Sequence, residues 1–180
     1  MTTLPSQRSD TVGAPTSVAL RRGVLRVYLG AAPGVGKTFA MLHEGKRRAE
    51  RGTDVVIGLV ETHDRALTAD AAAGLEVVPR QTLEHRGAIL TELDAPAVIA
   101  RRPQLVLIDE LAHTNVPGGR HRKRWQDVED ILTAGIDVIT TVNIQHLESL
   151  NDVVEAITGV KQAETVPDDV VRRADQIELV

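Results

Sequence analysis

A parallel α/β fold, with helices covering both faces of the sheet, is predicted by three features of this sequence. Short runs of Val, Leu and Ile alternate with stretches of helical period. Aromatic residues make up only 2% of the chain, so the core rests on aliphatic side chains, which suits strands buried on both faces. A small-residue loop ending in Lys37-Thr38 follows the first apolar run and opens the first helical stretch. Strand–helix alternation of this kind implies parallel pairing with right-handed crossovers.

The elements follow in order. Residues 1 to 22 are polar and rich in Ser, Thr and Pro, and read as a disordered lead before a nucleotide-binding domain spanning 23 to 180. "VLRVYL" (24–29) is a strand. "KTFAMLHEGKRRAERG" (37–52) is a helix, with Phe39, Leu42 and Ala49 near helical spacing and Gly52 at its stop. "DVVIGLV" (54–60) is a second strand. Between Glu61 and Arg102 the pattern gives a short helix near 66–73, a brief strand "LEVVP" and a helix near 94–101. "LVLID" (105–109) and "DVITTV" (137–142) are strands, separated by a helix over 124–135 and followed by one over 146–159. "ADQIELV" (174–180) reads as a strand that stops with the chain, which suggests a piece of a longer protein.

Composition narrows the function. At 180 residues the chain can bury one substantial core. With no cysteine, disulfides and thiolate metal sites are excluded. A net charge of −4 gives no general attraction for nucleic acid. No apolar run approaches the roughly 20 residues that span a bilayer, and the N-terminus lacks a signal-peptide core.

"GAAPGVGKTF" (30–39) carries the chemistry. The pattern small-x-x-x-x-Gly-Lys-Thr between a strand and a helix is a phosphate loop, which makes the fold P-loop NTPase-like. Ala31 stands where glycine is usual, with Gly30 one place earlier. Gly34 and Gly36 allow the backbone of Ala32, Pro33, Gly34, Val35 and Gly36 to turn successive N–H groups inward. The helix start beside Phe39 adds unpaired N–H groups and a positive dipole end. Lys37 can reach the β- and γ-phosphates of ATP, and the Thr38 hydroxyl can ligate Mg²⁺. The alternative, a glycine turn with no ligand, leaves the Lys-Thr pair unexplained.

Asp109 and Glu110 end a buried strand about 70 residues later. An acid there holds magnesium in phosphate-loop proteins, so Asp109 is the second metal residue and Glu110 the candidate base. Lys37 and Glu110 are the catalytic candidates. Other positions carry two readings each. One arginine of the 120–124 loop, Arg120 or Arg124 among them, contacts the γ-phosphate or an acidic partner, or the loop is simply solvated. His113 couples nucleotide state to that loop, or is a satisfied structural histidine. Glu61, His63 and Arg65 line the site rim, or form a helix start capped by Thr62. Asn143 and Gln145 sense the γ-phosphate, or make a polar turn. His63 and His146 have no partners at metal-ligand spacing, so no transition metal is expected.

Taken together, "GAAPGVGKTFAML", "VVIGLVETHDR", "LIDELAHTNVPGGRH", "KRWQDVEDILTAGIDV" and "TTVNIQHLESLNDVVEAITGV" resemble the N-terminal cytoplasmic domain of the KdpD sensor histidine kinase family, over residues 23 to 180. "VETH" and "NIQHLESLNDV" make the resemblance specific. Arg122 stands where that family usually has proline. The resemblance implies an ATP-binding regulatory input on the cytoplasmic side of an inner-membrane sensor for potassium limitation and osmotic stress. It also implies further domains in the whole protein: a stress-protein-like domain, four transmembrane helices and a histidine kinase module. The partners implied are those domains, the response regulator KdpE and, as an alternative, the potassium pump as target of a serine kinase or ATPase activity. A nucleic-acid motor, suggested by "DELAH", lacks a second motor domain and an aromatic stacking platform.

Overall fold

The computed structural model describes residues 21–61 and 66–180. Six strands form one parallel sheet: β1 (Leu25–Gly30), β2 (Val55–Leu59), β3 (Glu76–Val77), β6 (Leu105–Ile108), β7 (Asp137–Asn143) and β8 (Gln176–Leu179). Their order is β3-β2-β6-β7-β1-β8, and every pairing is parallel. β4 (Gln81–His85) and β5 (Ala88–Glu92) make a separate antiparallel hairpin. The helices are α1 (Lys37–Glu50), α2 (Ala66–Ala72), α3 (Ala95–Arg101), α4 (Arg124–Thr133), α5 (Asn151–Thr158) and α6 (Asp168–Arg172). This is the P-loop NTPase-like α/β arrangement that the strand–helix alternation predicts.

The aliphatic runs explain the layering. In β6, Leu105 and Leu107 join one buried cluster with Met41 and Leu42 of α1, while Val106 and Ile108 join the other with Val98 of α3 and Ile131 of α4. Each strand residue therefore alternates between two apolar layers, the condition for a sheet covered on both faces. α1 differs from its predicted face. Met41, Leu42 and Gly45 are buried against the sheet, whereas Phe39 is 41% exposed and lies beside the His43 ring.

Three features depart from the sequence reading. The hairpin β4–β5 turns at Arg86 and Gly87, both with positive φ (52° and 78°), as a two-residue primed turn requires. Arg-Gly is a poor cue for such a turn, and four of the five β5 residues are exposed, so no apolar face marks the strand. The helix expected over 146–159 is broken into two 3-10 turns and α5, because Leu147 is extended and bridges to Val166. That bridge takes the Val166 N–H to His146 O and the Glu148 N–H to Val166 O. α6 also lay outside the predicted elements; Val170 and Val171 seat it on the core.

Most of the predicted lead, and also His63 and Arg65, lie outside the described residues. Of that lead, Arg21 pairs with Asp137 and Arg22 with Glu129. No helix among the described residues is long and apolar enough to cross a membrane.

Candidate functional site

The sheet order decides what meets at the strand ends. β7 lies between β1 and β6, so a β7 side chain separates the loop after β1 from the acid after β6. Registers Ile108↔Thr140 and Gly30↔Asn143 set Asp109 level with Thr141 and put Asn143 beside the start of the loop. Ligand crevices in such sheets lie outside the carboxyl ends of the strands. A cavity of about 140 Å³ opens there.

The loop 31–36 is shaped by its glycines. Gly34 and Gly36 have φ of 84° and 100°, values that an L side chain resists. Gly30 ends β1 beneath the Lys37 stem: a Cβ there would stand 2.7 Å from Lys37 Cδ and Val35 Cγ2. Lys37 is buried, and its ammonium donates to Ala32 O at 3.0 Å. Burial draws its pKa below the usual lysine value, against the pull of Asp109 and Glu110. No side chain among the described residues caps the α1 N-terminus, and its first turn holds no acid. Its leading N–H groups are thus available to an anion.

Across the cavity, the Thr38 hydroxyl donates to Asp109 Oδ2 at 2.9 Å. Asp109 Oδ1 accepts from the Thr141 hydroxyl, which in turn accepts the Glu110 N–H at 3.0 Å. Glu110 has φ 55°, a left-handed backbone uncommon for a non-glycine residue. Asn143 Oδ1 is buried and has no hydrogen-bond partner among the described residues. The Thr38 hydroxyl and the Asp109 carboxylate are hard-oxygen groups of the kind magnesium takes together with water, and Asn143 lines the same cavity. These residues therefore fit Mg²⁺, and the loop with Lys37 fits a polyphosphate.

The cavity brings together Pro33, Gly34, Lys37, Thr38, Asp109, Glu110 and Asn143 of the predicted positions. Ala31, Ala32 and Val35 lie on the exposed loop beside it, and Phe39 faces solvent. Arg120 is turned elsewhere, ion-paired with Asp130 at 3.3 Å and lining other openings. Glu61 pairs with Arg80 at 2.8 Å. Arg124 is buried behind the acid turn, not in the cavity.

Thr141, His146 and Glu164 line the cavity without an assigned role at the site, and His113 with an ambiguous one. His113 sits between two carboxylates, Nε2 at 2.9 Å from Glu92 and Nδ1 at 3.2 Å from Glu164. Hydrogen bonds to Glu164 and then Glu92 raise its pKa to about 9, against burial, so the ring is an imidazolium at neutral pH. Burial disfavours a charged Glu92, yet His113, Arg124 and the Val116 amide outweigh it and hold that carboxyl at about 2. Glu92 was invisible because it terminates the unpredicted hairpin. Thr141 had a cue: a hydroxyl in a buried strand needs a partner.

The chain is similar to known proteins over most of its length. Residues 21–180 match the family described as "KdpD: Osmosensitive K+ channel His kinase sensor domain". The chain is 64% identical over 163 residues to "Sensor protein KdpD" of Mycobacterium tuberculosis H37Rv, covering 91% of this chain and 19% of that protein. It is 55% identical over 164 residues to "Sensor protein KdpD" of Escherichia coli K12, covering 91% and 18%. It is 53% identical to "Putative sensor protein KdpD" of Synechocystis, covering 96% and 47%. The chain thus spans about a fifth of the first two relatives and about half of the third. It belongs to the KdpD sensor-domain family.

Proposed function

We propose that this chain is an ATP-binding regulatory domain of a two-component sensor histidine kinase, with Mg²⁺ held by Thr38 and Asp109. The observation that carries this reading is the Thr38–Asp109 contact at the mouth of a glycine loop, with Lys37 and an uncapped helix start converging on one cavity. The loop amides and Lys37 bind the phosphate chain. Magnesium held there would neutralise charge on the phosphate chain. Thr141 fixes the Asp109 carboxylate by donating to one oxygen, which leaves the other directed at Thr38. Asn143 offers its orphan oxygen to a water or a ligand donor.

In the whole protein, on the cytoplasmic side of the membrane, nucleotide occupancy biases the kinase module and, through it, the phosphorylation of KdpE during potassium limitation. A ligand shifts such a balance only by its differential affinity for the two states. Calorimetry of ATP with Mg²⁺ tests the binding. The chain is expected to bind, and Lys37→Ala to weaken binding more than about tenfold, the scale of one lost charge-assisted contact. No heat of binding with the unaltered chain overturns the reading.

A second reading, phosphoryl transfer to water or to a protein such as the potassium pump, is favoured by Glu110. Glu110 lines the cavity from a left-handed backbone, a conformation that clusters at functional sites. Glu110 then takes the proton of the attacking hydroxyl, and Lys37 stabilises charge on the transferred group. Phosphate release that is lost in Glu110→Gln, with ATP affinity retained, supports it. Absence of turnover, alone and with the pump, rejects it.

A further inference from the structure

We infer that Arg124 is a positioning residue for the nucleotide site: from behind the cavity its guanidinium clamps the Asp109–Glu110 turn, and Glu92 at the root of the hairpin is its counter-ion. The inference rests on the proposed Mg²⁺–ATP reading for its consequence, and on geometry alone for the clamp.

Arg124 is the first residue of α4 and only 2% exposed. Its Nη1 donates to Asp109 O at 3.0 Å and to Glu110 O at 3.3 Å. Nη2 donates to Glu92 Oε2 at 3.1 Å, and Glu92 is 3% exposed. The Arg124 N–H itself donates to His113 O. One side chain thus satisfies two consecutive carbonyls of the segment that carries the metal acid and the candidate base. Only a planar fork can span these acceptors while keeping a buried carboxylate paired.

The turn has a reason to need holding. Glu110 sits at φ 55°, and a strained backbone persists only when its surroundings over-determine it. From the front, Thr141 fastens the Glu110 N–H and the Asp109 carboxylate. Arg124 fastens the two carbonyls from behind. Without it, a turn that relaxed would carry Asp109 Oδ2 away from Thr38, and the loop amides that grip phosphate would be untouched. Arg124 therefore acts on the magnesium-dependent part of binding and not on the magnesium-free part. Removing an outer-shell partner commonly costs about 10–100-fold in metal affinity.

The test uses the 180-residue chain, a fluorescent ATP analogue (mant-ATP) with and without Mg²⁺, and amide hydrogen exchange. Two variants are compared: Arg124→Lys, which keeps a cation against Glu92, and the double variant Glu92→Gln/Arg124→Met, which removes both buried charges together. In each, exchange of the Glu110 and Leu111 amides is expected to quicken at least about tenfold relative to β1 amides, as the turn loses its second anchor. The ratio of magnesium-free to magnesium-bound dissociation constants is expected to fall about tenfold or more, while magnesium-free affinity stays within about twofold. Unchanged exchange at 110 and 111 in the folded variants overturns the clamp, whatever the nucleotide result. Faster exchange with an unchanged magnesium ratio reduces Arg124 to a structural residue and overturns the positioning role. If the unaltered chain binds no mant-ATP, the nucleotide reading fails by itself, and the exchange data still decide the clamp.

Discussion

Thr141 shows how much of the site depends on a single hydroxyl. It donates to Asp109 and accepts the Glu110 N–H, in a position 2% exposed. Thr141→Val keeps the shape and deletes both bonds, leaving a buried N–H and a carboxylate oxygen without that partner. A loss of about 1–3 kcal/mol is expected, read from urea unfolding, together with weaker magnesium-dependent nucleotide binding. At this scale the sequence was legible where chemistry constrains residue type: Lys37, Thr38, Asp109 and Glu110 all border one cavity. It was illegible where three-dimensional register decides. Threonine in a β-branched run reads as a strand former, and only the β6–β7 register reveals that Thr141 faces an acid. Arg120 and Arg124 stand four positions apart in one basic run, and burial alone separates an exposed ion pair from an anchor behind the site.

At the scale of elements, close backbone approach sets the frame. Before β1, Gly23 donates its N–H to Leu132 O at 2.7 Å, and a Cβ there would stand 1.9 Å from Ile136 O. Backbone cannot swing aside as a side chain can. Gly23→Ala is therefore expected to destabilise by about 1–3 kcal/mol or more, with the loss visible in the thermal midpoint. The four inner strands of the main sheet, β1, β2, β6 and β7, were legible because they are largely buried and read as aliphatic runs, whereas the edge strands β3 and β8 are exposed. The hairpin was not legible, since its residues are largely exposed and only its last, Glu92, enters the interior. The break before α5 was hidden for a different reason. Helical period persists through Leu147, but its bridge to Val166 overrides that local preference.

Across the whole molecule, Glu92, His113, Arg124 and Glu164 join the hairpin, the loop before α4 and the segment before α6 in one ionic network. That network predicts a pH profile. Glu92 has its folded pKa held near 2 against an ordinary 4.5, so its contribution is present above about 4.5 and lost as pH falls toward 2. His113 has its pKa raised to about 9 from 6.5. Its contribution is present below about 6.5 and lost as pH rises through 9. Urea midpoints are expected to be highest between these limits and to decline on both sides, and His113→Gln is expected to flatten the alkaline decline. An unchanged alkaline limb in that variant would mean the imidazolium adds nothing to stability.

The proposed site joins a loop that grips phosphate to an acid that holds its metal. Isothermal titration of the chain with ATP, with and without Mg²⁺, tests it most directly, with Thr38→Ala and Asp109→Asn beside it. Binding that Mg²⁺ tightens is expected, with a loss of that tightening in both variants. Binding that is indifferent to Mg²⁺ in the unaltered chain, or equally tightened in all three proteins, contradicts it.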